Sequence, residues 1–195
     1  MKTTLMAIAL AGALAAPAAA QTTKPPKTQK PAATTGTAVA ASDRAFAREA
    51  AVGSMAEVDL GNLAKEKASS SDVKAFADRM VTDHSKANDE LKQWALTNNV
   101  TLPTALDAKH KATHARLEKL SGAAFDKAYM RDMLSDHKTD VAKFKTESKS
   151  AKNGDLKDWA GKTLPTLEDH LKQAQDTASK VGVNTMAKKS TPRNK

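Results

Sequence analysis

From Ser42 to Gly182 the apolar side chains recur every third or fourth residue, the period of an α-helix with one buried face. Only four short breaks interrupt the pattern: Ser69-Ser70-Ser71, Asn98 to Pro103, Ser121-Gly122 and Asn153-Gly154-Asp155. The segment therefore divides into helices of about 43–68, 72–98, 104–120, 123–151 and 156–181. Ser42 is a credible N-cap for the first, and glycine after a helix suits the left-handed backbone that closes it. The stripes are Phe46, Ala50, Gly53, Glu57, Leu60 and Ala64, then Val73, Phe76, Met80, His84, Ala87, Leu91 and Trp94. The long helix after the crossover carries Tyr129, Met133, His137, Val141 and Phe144. The last carries Trp159, Thr163, Leu167, His170 or Leu171, Ala174 and Val181. Each stripe is only partly apolar, so no helix is stable alone and the four long ones must bury their stripes jointly. The expected fold is all-α: a four-helix bundle with a short extra helix, along Leu106, Leu117 and Leu120, in the crossover between the second and third long helices. Pro165 should kink the last helix.

Composition narrows the chemistry. The 195 residues contain no cysteine, which excludes disulfides, thiol catalysis and thiolate metal sites. Aromatic residues make up 4 %, too few for the strands of a β-sandwich. The formal charge of +9 suggests a polyanionic partner, but its distribution argues otherwise. Lys2 belongs to residues 1–20, which read as a signal peptide: a positive start, an apolar run from Leu5 to Ala16 too short to span a membrane, and Ala18-Ala19-Ala20 as the cleavage pattern. Residues 21–41 read as a disordered Lys/Pro/Thr/Ala linker carrying three lysines, and residues 183–195 as a disordered tail carrying four basic residues. All 22 acids lie between them, leaving residues 42–182 with a net charge near +1. The folded part offers no case for nucleic-acid binding. Attraction to anionic envelope polymers or lipids would belong to the tails.

Internal similarity suggests two related hairpins. Arg79 to His84 resembles Asp132 to His137 at an offset of 53. Asp72 to Ala77 resembles Asp155 to Ala160 at an offset of 83, and Ala45-Phe46 falls on Ala124-Phe125 at 79, which pairs Glu57 with Asp136.

The runs Met55 to Gly61, Met80 to Asn88, Leu120 to Met130, Asp136-His137 and Thr163 to Leu167 with His170 together resemble an exported bacterial family, domain of unknown function 4142. Its members are often labelled membrane or outer-membrane proteins. The resemblance spans about Ser42 to Val181 and implies a ferritin-like bundle. It implies no activity.

Four residues on the stripes carry metal-ligand chemistry. Glu57, His84, His137 and His170 stand one per long helix, each near its middle. Ferritin-like carboxylate centres use Glu-x-x-His, whose i, i+3 spacing aims both side chains at one point. Here Val81 and Leu167 occupy the positions three before His84 and His170, so a standard di-iron or di-manganese centre is not expected. Three imidazoles and one carboxylate would suit zinc, copper or iron, with Asp83 and Asp136 as outer partners. Met80 and Met133, one turn before two of the histidines, would favour copper if they reached the ion. The competing reading is a buried polar layer that sets helix register, with both methionines as core filler. His110 and His114 have metal-pair spacing but lack the glutamate of a zinc-protease motif. They read as part of a solvated helix.

The chain is accordingly read as an exported periplasmic bundle of unestablished activity, near the outer membrane, with a binding or envelope-stress role rather than an enzymatic one. The alternatives are a metal-binding redox protein at the Glu/His layer and a structural module tethered by basic tails.

Overall fold

A computed structural model of the chain describes residues 38–184. The expected signal peptide, most of the linker and most of the tail lie outside the described residues. Five α-helices follow one another: α1 (Ala41–Lys67), α2 (Ser71–Thr97), α3 (Ala108–Glu118), α4 (Gly122–Ser150) and α5 (Gly154–Lys180). Among the described residues there is no strand. The helices α1 and α2 form one hairpin and α4 and α5 another. Further packing of α2 on α5 and of α1 on α4 closes the four long helices into a bundle. The short α3 lies in the crossover, against α1 and α4.

The helix ends follow from local chemistry. The side chain of Asn153 accepts a hydrogen bond from the backbone N–H of Leu156 at 2.9 Å and caps α5. Asp107 does the same for α3 through His110, so α3 starts at Ala108 rather than near Thr104. Gly122 and Gly182 have φ of +59° and +76°, the left-handed conformation that glycine adopts without strain. Ser42 is not the cap of α1. The helix begins at Ala41, and the Ser42 hydroxyl donates to Asp43 instead. Pro165 is exposed within a continuous α5. Val183, placed in the tail by its sequence, is buried against the core.

Asp43 is buried because it reaches the loop between α4 and α5, accepting from the backbone N–H groups of Lys152 at 3.0 Å and Asn153 at 2.7 Å. Asp126, near the start of α4, returns the arrangement. It accepts from Ser69 N–H at 3.1 Å, the Ser69 hydroxyl at 2.6 Å and Ser70 N–H at 3.0 Å, in the loop between α1 and α2. Each hairpin thus fastens the turn of the other. Acceptors in the first helix of each hairpin and donors in its turn correspond at one offset, 83 residues. The offset of 79 for α1 against α4 is therefore one turn out of register. Glu57 corresponds to Asp140, and Phe46 to Tyr129.

The core has two apolar clusters. One gathers Leu60, Val73, Phe76, Met80, Phe125 and Met133 with their neighbours, and the other Phe46, Leu91, Trp94, Phe144, Trp159 and Leu167. In the second, Phe46 meets Phe144 edge-on with centroids 5.1 Å apart. Along every long helix, residues of one cluster give way to the other across a buried polar stretch: Ser54 and Glu57 in α1, His84 and Asn88 in α2, His137 in α4 and His170 in α5.

Candidate metal centre

The mid-helix positions deliver three imidazoles to one place. Ring centroids are 5.6 Å apart for His84 and His137, 5.3 Å for His84 and His170, and 5.4 Å for His137 and His170. The three residues are buried, and each offers one nitrogen within 4.8 Å of the other two. His84 Nε2, His137 Nε2 and His170 Nδ1 have no hydrogen-bond partner, although all are sealed from solvent. Burying three unpartnered polar atoms together is costly, and such groups are normally satisfied in folded proteins. A shared ion would satisfy all three at once.

The opposite edges of two rings show that the lone pairs are directed. His137 Nδ1 lies 2.9 Å from the carbonyl oxygen of Met133, which can only accept, so Nδ1 carries the proton and Nε2 the lone pair. His170 Nε2 lies 2.8 Å from Asp83 Oδ2, so Nε2 donates and Nδ1 is free to coordinate. A carboxylate behind a ligating imidazole is the arrangement that fixes ring orientation in metal proteins. Asp83 is itself held by Arg79 Nε at 3.1 Å. Burial pushes the Asp83 pKa up, but the bonds from His170 and Arg79 outweigh it and hold the carboxyl below its ordinary range.

Burial favours the neutral form of all three rings. It lowers His84 well below the ordinary value, reinforced by His137 and His170. It brings His137 down to about 4, and it lowers His170 despite the opposing pull of Asp83. Neutral imidazoles are ready metal ligands.

The sequence-derived ligand set divides at this point. Among the described residues only the three histidines converge. Glu57 approaches His137 from the wrong edge: its Oε1 lies 3.9 Å from Nδ1, the nitrogen already committed to Met133. It is not one of the converging groups. Asp83 backs His170 across two helices rather than His84, its neighbour in sequence. Asp136 touches no histidine of the cluster and faces Lys109 of α3. Met80 and Met133 lie in an apolar cluster. His110 and His114 do not act as a pair, because each ring is bonded to its own carboxylate, Asp107 at 2.7 Å and Asp59 at 2.6 Å.

Several cavities touch the layer. A cleft of about 310 Å³ between α2 and α5 has His84 and His170 in its wall and Lys86, Glu90 and Lys162 along it. On the opposite side, a cavity of about 100 Å³ between α1, α3 and α4 is lined by Glu57, Asp136 and Asp140. The sequence reading missed Asp140, although its i, i+3 spacing from His137 put it on a neighbouring part of the same helix face. Burial raises its pKa to about 6, with Asp136 adding to the shift. Glu57 is also raised well above the ordinary carboxyl value, by burial first and then by Asp140, Asp136 and Asp132.

A family model described as a domain of unknown function, DUF4142, matches residues 27–177. The chain belongs to this family. Membership in DUF4142 bears out the sequence resemblance and assigns no activity. Among solved structures, this DUF4142 chain is similar to the crystal structure of a DUF305 fragment from Deinococcus radiodurans. The TM-score is 0.65 at 12 % identity, over 73 % of this chain and 98 % of that one. At that identity the likeness shows the helical bundle alone. No curated protein matches the chain.

Proposed function

We propose that this DUF4142 domain binds one divalent transition-metal ion through His84 Nε2, His137 Nε2 and His170 Nδ1. The observation that carries the reading is the convergence of three buried imidazoles from three helices, each with one unpartnered nitrogen, two of these with the lone pair set by a second bond on the same ring. An all-imidazole donor set suits Zn2+ and Cu2+, and copper outranks zinc on such ligands. Bound there, the ion would supply Lewis acidity or, for copper, one-electron chemistry. The sealing of all three nitrogens from solvent favours holding the ion over turning over a substrate.

The signal-peptide pattern of residues 1–20 supports export, and so a periplasmic site for this binding. The lysines of residues 21–41 and the basic residues of 183–195 support a loose hold on anionic envelope polymers or lipids. A ferritin-like origin of the bundle and a place near the outer membrane belong to the same proposal.

Elemental analysis of the full chain purified without chelator tests it. One zinc or copper per chain is expected, falling to a small fraction in His84→Ala, His137→Ala and His170→Ala, and unchanged in His114→Ala. A metal-free wild type whose melting temperature does not move on adding Zn2+ or Cu2+ would overturn it.

A further inference from the structure

Glu57 lies beside His137 and also lines a cavity between α1, α3 and α4. It is buried at 4 % exposure, and its Oε2 has no hydrogen-bond partner. Glu49, Asp136 and Asp140 line the same cavity, so four carboxylates share it. Three bases line it as well: Lys143, bonded to Glu49 within the cavity, His110, whose ring is bonded to Asp107, and Lys109. Lys143 and Lys109 act on Asp140, and Lys109 and His110 on Asp136, but no base offsets Glu57, which feels only burial and the acids Asp140, Asp136 and Asp132. Like charges crowded in a partly dry space repel strongly, and an unpaired buried carboxylate is costly. The reciprocal clamps add an independent point: Glu57 and Asp140 occupy corresponding positions of the two hairpins, on helices that pack together.

We propose that the cavity between α1, α3 and α4 is a second cation site, in which Glu57, Asp136 and Asp140 hold a hard divalent ion of the Mg2+, Mn2+ or Ca2+ class. An all-oxygen donor set selects such ions over the zinc and copper preferred by imidazole. The carboxylates do not converge on a point as the histidines do, so part of the shell is water. Mg2+ and Mn2+ commonly keep several waters, and a cavity of about 100 Å³ has room for them. The site goes beyond the tri-histidine reading and does not depend on it. Its occupant would neutralise the carboxylate nearest the back of His137.

Mn2+ is the probe. Loss of the free Mn2+ electron paramagnetic resonance signal is followed while full-length protein is titrated, once metal-free and once after treatment with Zn2+. One bound Mn2+ per chain is expected in both. At least a tenfold loss of affinity is expected in Glu57→Gln and in Asp140→Asn, and none in His84→Ala. Ca2+ and Mg2+ should compete. Asp140 is half-buried, so its variant keeps the test open if Glu57→Gln fails to fold, as judged by helical circular dichroism. Absence of Mn2+ binding to wild type would overturn the site, as would binding that survives both carboxylate variants or disappears in His84→Ala. Zinc that fails to bind, with Mn2+ binding still carboxylate-dependent, would sink the tri-histidine reading and leave this one standing.

Discussion

The 2.8 Å contact between Asp83 and His170 joins α2 to α5 and commits one nitrogen of the imidazole. Without it the ring could rotate or change tautomer, and its lone pair would no longer be held toward His84 and His137. Asp83→Ala should therefore weaken zinc or copper binding about 10- to 100-fold, the usual cost of losing such a partner. Asp83 is partly exposed, so the fold should persist. Competition titration against a chromophoric chelator would measure the loss, and an unchanged affinity would refute the positioning role. The three histidines were legible in the sequence because each interrupts an apolar stripe at mid-helix. Asp83 was legible only as a neighbour of His84. A side chain one residue on points about 100° away around the helix, and periodicity does not say which other helix stands there. Glu57 failed as a ligand for a related reason. A stripe assigns it to the core face but not to one edge of His137 or the other.

Between elements, close approach is paid for in glycine. A Cβ built at Gly61 would lie 2.8 Å from Val81 Cγ2 and 3.1 Å from the carbonyl oxygen of Ala77, so α1 and α2 pack too tightly there for a side chain. The backbone oxygen cannot swing aside. Gly61→Ala should destabilise the domain by about 1–3 kcal/mol, overcoming the better helix propensity of alanine. Gly53, also in α1, has nothing within 4 Å of the point a Cβ would occupy. Gly53→Ala should instead stabilise by about 0.5–1 kcal/mol. Urea denaturation of the two variants checks the opposite signs. The number and order of helices were legible because the breaks carry strong turn chemistry. The register between α1 and α4 was not. Alanine-rich helices align equally well one turn apart, and only the bonds of Asp43 and Asp126 across the bundle distinguish 83 from 79.

Over the whole molecule, the buried histidines and carboxylates pull stability in opposite directions with pH. His137 titrates near 4 in the fold and near 6.5 when unfolded, so the unfolded chain binds more protons between these values. Its contribution is complete above about pH 6.5 and is lost as pH falls toward 4, a change of roughly 3 kcal/mol. The lowered values of His84 and His170 act with the same sign. Asp140 does the reverse. With a folded value of about 6 against an ordinary 3.8, it stabilises in acid, and the benefit disappears as pH rises through 6. Glu57 acts as Asp140 does. In chelator, His137→Leu should reduce the loss of unfolding free energy between pH 7 and pH 4.5, and Asp140→Asn should enlarge it. Chemical denaturation at three pH values would show both, and parallel profiles for all three proteins would contradict the assignment.

The reciprocal clamps have a consequence of parity. Two halves that clamp each other reciprocally supply groups in equal pairs, and Glu57 with Asp140 is such a pair. Three imidazoles are an odd number and cannot arise that way. At the same offset of 83, His84 falls on Leu167, Ser54 on His137, and Ala87 on His170. Each histidine is matched by a residue with no ligating nitrogen. The ends of the bundle keep the equivalence of its halves, and the nitrogen site exists only where that equivalence has been broken.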